Sequence, residues 1–154
     1  MRIQDLKGNV PIEVYKINWS WGKKTEFWLA RHVKGLFVLH VCCGMSKVGN
    51  IRVDIDRSVK PDIIADVDHL PFRPGTFDVV ICDPPFKKYN RFKWINRLAD
   101  YSKGIVILSA PGGVFPRIKG YKREYFAILT LGTFFVRYFI KYSKRNQSLV
   151  EHLA

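Results

Sequence analysis

The sequence predicts an α/β domain built on a mostly parallel sheet. LFVLHVCC (36–43) and FDVVICD (77–83) are continuous apolar runs, the pattern of strands buried on both faces. Helical spacings in TEFWLARHV (25–33) and NRFKWINRLADYS (90–102) alternate with such runs, as in layered α/β architectures. A length of 154 residues, 47% hydrophobic and 25% charged, suits one domain, 1–154, with a core of its own.

The elements follow in order. Residues 1–22 read as irregular, with Trp19 and Trp21 flanking Ser20. Thr25 opens a short helix that places Phe27, Trp28, Ala30 and Arg31 over three turns. The first strand is 36–43, closed by Gly44; IRVDID (51–56) is the second, IIADVD (63–68) the third and FDVVICD (77–83) the fourth. The second helix, 90–102, has its apolar spacing in Phe92, Ile95, Leu98 and Ala99. GIVILSAP (104–111) is the fifth strand, and YFAILTL and TFFVRYFIKYSK, split at Gly132, read as a closing antiparallel pair. The connections are short: GMSKVGN and RSVKPD separate the first three strands, where a parallel crossover normally takes at least ~10–12 residues. Reduced crossover helices are the favoured explanation over strands that are not simple neighbours. Two helices would then leave apolar sheet uncovered, which makes a homodimer the expectation.

Charge points to the partner. Lys and Arg number 26 against 13 Asp and Glu, and the excess sits in residues 87–145, where fourteen cations face only Asp100 and Glu124. Phosphate-rich polymers are the first candidates for such a half, anionic membranes the second. The opening MRIQDLKGNVPIEVY has no apolar core of a secretory signal, so none is expected. The longest apolar stretch, Tyr125 to Ile140, is broken by Gly132 and Arg137 and falls short of the ~20 residues of a membrane helix. Cys42, Cys43 and Cys82 follow no zinc spacing, so they read as buried thiols in a reducing, cytoplasmic compartment, with no metal.

Asp83-Pro84-Pro85-Phe86 directly follows the fourth strand. In open α/β sheets ligands bind beyond the carboxyl ends of strands. Two prolines are rigid and offer only carbonyl acceptors, and an ionised aspartate accepts without donating. Together they can hold a planar amino group by its two hydrogens while Phe86 stacks on the attached ring. That draws the nitrogen lone pair out of the ring and makes it more nucleophilic. The plainer reading is a tight turn that merely ends the strand.

These four residues resemble the [D/N]-P-P-[Y/F/W] motif of Rossmann-like, class I, S-adenosylmethionine-dependent methyltransferases that modify exocyclic amino groups of nucleobases. The resemblance runs from about Leu36 to Ser109, with LHVCCG like the first-strand motif, VDID like the second and ADVDHLPF like the third. It implies a minimal Rossmann-like methyltransferase sheet and S-adenosylmethionine as cofactor. It places the ribose-holding acid at Asp54, with Asp56 as the alternative, and the adenine contacts at Asp66 and Val67. The first-strand motif contributes His40, Cys42 and Gly44 to the cofactor side. Asp83, Pro84, Pro85 and Phe86 fall on the catalytic grip. Two departures stand out: the glycine turn reads Gly44-Met45-Ser46-Lys47-Val48-Gly49, and His40 replaces an acid. His40 reads equally as a buried, hydrogen-bonded core histidine.

KKYNRFKW (87–94) follows at once and interleaves cations with rings. Lys87, Lys88, Tyr89, Arg91 and Lys93 are the candidate contacts to phosphates and bases. A solvated helix face with core aromatics is the alternative for the same segment. The whole reads as methyl transfer to a nucleobase amino group in DNA or RNA. A non-catalytic nucleic-acid-binding protein on a degenerate methyltransferase scaffold, and an amide or small-molecule N-methyltransferase, are the competing readings.

Overall fold

The structure, a computed structural model, describes residues 21–85, 93–111, 116–128 and 137–145, of which 93, 111, 125–128 and 137–138 as backbone alone. Helix α1 spans Lys23–His32, followed by β1 (Val38–Val41), β2 (Ile51–Asp54), a single 3-10 turn at Arg57–Val59, β3 (Ile63–Ile64) and β4 (Phe77–Cys82). Helix α2 (Lys93–Asp100) leads into β5 (Ser102–Pro111), β6 (Tyr121–Ile128) and β7 (Arg137–Lys144). The seven strands form one sheet in the order β3-β2-β1-β4-β5-β7-β6. The first five strands are parallel, and β7 runs antiparallel between β5 and β6. The expected fold class holds, including the closing antiparallel pair.

The short connections are real. β1 and β2 are parallel neighbours joined by residues 42–50 without a helix, and β2 reaches β3 through the 3-10 turn alone. Cys42, Gly44 and Gly49 take positive φ in the first of these connections. Gly49, at φ +116°, is required twice over, because a Cβ there would also meet the His40 Cβ at 3.0 Å. Lacking a crossover helix, the β2–β3 edge is held by side chains. Arg52 Nε and Nη2 donate to Asp62 Oδ2 and Oδ1 at 3.2 and 3.0 Å, and Asp62 Oδ2 also accepts the Arg52 amide at 2.8 Å. A guanidinium fork matched to both carboxylate oxygens fixes geometry as well as energy.

Each face of the sheet carries one core. On the α2 side Leu39, Val41, Val80, Val106 and Ile140 pack with Trp94, Ile95, Leu98 and Ala99 of the helix. On the α1 side Val38, Val79, Ile81, Ile107 and Phe139 pack with Leu29 and Val33. Burying side chains of this size stabilises by roughly 1.5–3 kcal/mol each. Leu29 anchors α1, and Phe27 remains 66% exposed. One expectation needs correcting. Trp94, grouped by sequence with the base-stacking aromatics, is a core residue at 5% exposure. Among the described residues no helix is long and apolar enough to cross a membrane.

Candidate active site

The carboxyl ends of β1, β2, β3 and β4 deliver four loops to one edge of the sheet. β1 runs into Cys42, whose φ of 52° turns the chain at once, and Cys43 N–H donates to Val53 O at 3.2 Å. Gly44, also at φ 52°, brings its N–H to 2.8 Å from Asp54 Oδ2. Asp54 Oδ1 accepts the Asp56 amide at 3.0 Å, so the carboxylate at the end of β2 ties two loops together. Asp56 Oδ1 accepts the Ser58 amide at 2.8 Å and caps the 3-10 turn. Hydrogen bonding from Ser58, through its side chain first and its amide second, holds the Asp56 carboxyl below its ordinary value. Asp66 Oδ1 accepts the Asp68 amide at 3.0 Å, which fixes the turn that carries Val67.

These loops enclose a cleft of about 230 Å³ in its described part, with Pro85 in its lining. Cys42, Gly44, Asp54, Asp56, Asp66 and Val67 all line it, as does Asp83. Six of the seven residues that the resemblance assigned to the cofactor side therefore surround one space. His40 is the exception. It is fully buried on the α1 side of β1 and does not line the cleft. Its Nδ1–H donates to Val48 O at 2.8 Å, and burial, foremost among its surroundings, lowers its pKa to about 4. A neutral ring clamped to a backbone carbonyl is a structural histidine, the second of the two readings its position allowed.

Ile55, Val59 and Ala65 complete the lining with apolar surface, and Ile55 is 67% exposed. Among the described residues the lining includes four carboxylates and no Lys or Arg. Such a set repels phosphates, accepts hydrogen bonds from hydroxyl and amino groups, and attracts a cation. An aliphatic wall beside it suits a planar ring. An adenosine bearing a sulfonium and no phosphate has those properties, so these residues fit S-adenosylmethionine and fit a nucleotide poorly.

Asp83 and Pro85 sit half-buried at the end of β4, with Pro84 buried between them. The Asp83 amide donates to Val41 O at 3.3 Å, which extends the β1–β4 pairing one residue beyond the sheet and sets Asp83 in the cleft lining. Trp21, unremarked by sequence reasoning beyond its place beside Ser20, donates from Nε1 to Asp83 Oδ2 at 3.1 Å. Its ring stacks on His40 at 5.3 Å and meets Phe139 edge-on at 5.1 Å. Trp21 thus anchors the carboxylate to the α1-side core. Phe86, Lys87, Lys88, Tyr89 and Arg91 lie outside the described residues, and Lys93 is described only as the first residue of α2. The Cys43 thiol is pushed up to about 12, by burial first and the Asp54 charge second, which leaves it protonated and unreactive.

No family model matches the chain, and no curated protein matches it by sequence. Solved structures do match. TrmN from Thermus thermophilus superposes with a TM-score of 0.54 at 19% identity, over 79% of this chain and 48% of that one. The methyltransferase candidate yhhF from Escherichia coli gives 0.51 at 13% identity, over 79% and 85%. The PH0226 protein from Pyrococcus horikoshii OT3 gives 0.50 at 16% identity, over 78% and 87%. The chain spans about half the length of TrmN. At these identities the likeness is one of architecture, and it gives this chain a Rossmann-like methyltransferase fold.

Proposed function

We propose that the protein transfers a methyl group from S-adenosylmethionine to an exocyclic amino group of a nucleobase. The observation that carries this reading is the mainly apolar cleft that gathers the four carboxylates Asp54, Asp56, Asp66 and Asp83. The bound cofactor supplies a methyl group on a cationic sulfur. Asp54 and Asp56 accept the ribose hydroxyls, Asp66 accepts the adenine amino group, and Ile55 and Val67 cover the ring. Asp83 and the Pro84 carbonyl accept the two hydrogens of the target amino group and orient its lone pair into the cleft. Holding nitrogen and methyl carbon in line at near-contact distance is the main source of rate. Asp83 then stands ready to take the proton released after the bond forms. Phe86 and the basic segment 87–93 supply stacking and phosphate contacts, and the exposed apolar Phe27, Phe37 and Ile64 offer surface to a second copy in a homodimer.

The non-catalytic alternative does not need a carboxylate beside nucleic-acid phosphates, whereas methyl transfer does. Transfer of labelled methyl from S-adenosylmethionine into pools of DNA and RNA separates the two. Wild type is expected to label at least one pool, and Asp83→Ala to reduce the rate by about 10²–10⁴-fold while leaving nucleic-acid affinity unchanged or tighter. Full labelling by Asp83→Ala overturns the assignment.

A further inference from the structure

The basic half of the chain makes a second recess, at the other end of the sheet from the cleft. It has a volume of about 700 Å³ and is lined by Arg117, Lys119, Tyr121, Lys122, Arg123 and Arg145, with no carboxylate among the described residues. Arg117, Lys119, Lys122 and Arg145 are exposed. The nearest acid along β6, Glu124, is engaged by Lys141 at 3.6 Å.

Hydrogen bonds to three neighbouring elements hold the backbone beneath these cations. The Tyr142 hydroxyl donates to Pro116 O at 2.8 Å, and Ile118 is buried in the α2-side core. The Lys119 amide donates to Asn96 Oδ1 of α2 at 2.9 Å, and the Arg145 amide to Gly120 O at 2.9 Å. Gly120 takes φ +79° in this turn, and the Tyr121 hydroxyl bonds Ser102 Oγ at 3.0 Å. Like charges gathered on a rigid turn repel one another, and an anion relieves that repulsion without any reorganisation of the backbone.

We propose that this recess binds the phosphate backbone of a nucleic acid at a point remote from the methyl-transfer cleft. Lys122 lies level with Ser143, Ile105 and Val79, whereas Asp83 lies just beyond Cys82, four residues further along β4. With three interstrand steps of ~4.8 Å and a rise of ~3.3 Å per residue, the two sites are about 20 Å apart. A single nucleotide cannot touch both. A duplex with one phosphate per ~3.4 Å of each strand must extend over about six base pairs to do so. Given the methyl-transfer reading on which this part rests, the substrate is a polynucleotide, and short oligomers are poor acceptors. Ile118 is the one aliphatic residue among the described lining and is buried, which disfavours a lipid surface, where an apolar side chain must insert.

The test is fluorescence anisotropy with labelled RNA and DNA duplexes of about 20 base pairs, over a range of salt. The variant combines Arg117→Ala, Lys119→Ala and Lys122→Ala, all exposed positions, with circular dichroism as the check on folding. It should bind more weakly whatever the sequence, with the slope of log affinity against log salt reduced by about one per cation removed. Lys119→Arg should keep the wild-type slope. Unchanged slope and affinity in the triple variant overturn the recess, even if methyl transfer is intact. Binding of wild type to phosphatidylglycerol vesicles but to neither duplex also overturns it. A groove-dependent slope in a protein that methylates no nucleic acid leaves the recess standing and removes the methyl-transfer reading instead.

Discussion

His40 is buried as a neutral ring, with its pKa lowered from 6.5 to about 4 chiefly by desolvation. The unfolded chain binds a proton there below pH 6.5, and the folded protein resists it until about 4. Stability is therefore full above pH 6.5, falls as the pH drops through that window, and levels off below it, a total of roughly 3 kcal/mol. Asp56, Asp62 and Asp78 have lowered pKa values, so their stabilising contributions fade only below the ordinary aspartate value of 3.8. Denaturant unfolding between pH 4 and 6.5 should show the loss in wild type and a flat profile in His40→Leu. A flat wild-type profile contradicts the buried neutral ring. The family resemblance offered His40 to the cofactor side, and its place within a strand offered it to the core. Strand alternation decided it, since Val41 faces the α2-side core and His40, one residue earlier, faces the other way.

At the scale of elements, β3 is only Ile63–Ile64, and the loop it feeds carries Asp66 and Val67. The Arg52–Asp62 clamp holds this edge, and the Arg52 side-chain hydrogen bond lowers the Asp62 carboxyl. Asp62 is 41% exposed in its side chain, so Asp62→Ala should cost only about 1 kcal/mol of global stability. Its local effect should be larger: faster amide exchange at Ile64 and Ala65, whose neighbours pair with β2, and weaker cofactor binding through Asp66. Below the ordinary carboxylate range wild type should lose this advantage, because the protonated Asp62 no longer accepts charge-assisted bonds. Exchange at these amides identical to wild type contradicts the clamp. β1 and β4 were legible because buried parallel strands are continuous apolar runs, and the reduced crossovers followed from counting residues between strands, whereas the third strand, expected over 63–68, ends at Ile64. The register of α1 was not legible, because its aromatic residues outweigh Leu29 in a pattern that only packing against Val38 and Ile81 resolves.

For the whole molecule, the sequence showed that acids gather at strand ends and cations in the second half, and the fold turns those two facts into two separate surfaces. The loops at the carboxyl edge collect Asp54, Asp56, Asp66 and Asp83 around one cleft, and the far edge collects Arg117, Lys119, Lys122 and Arg145 around one recess. The first was readable because each acid lies at the carboxyl end of a strand or within two residues beyond it. The second was visible only as charge, since its concavity depends on hydrogen bonds from Lys119 to Asn96 and from Arg145 to Gly120. Trp21 was not readable at all, because its partner Asp83 lies 62 residues away. Everything proposed for the cleft depends on its taking a cationic adenosyl cofactor. Calorimetric titration with S-adenosylmethionine, on wild type and on Asp54→Asn, tests that most directly. Binding to wild type that the variant weakens by tenfold or more, about 1.4 kcal/mol, is the expected result. No binding to wild type, with or without added nucleic acid, would leave the methyltransferase fold without the chemistry.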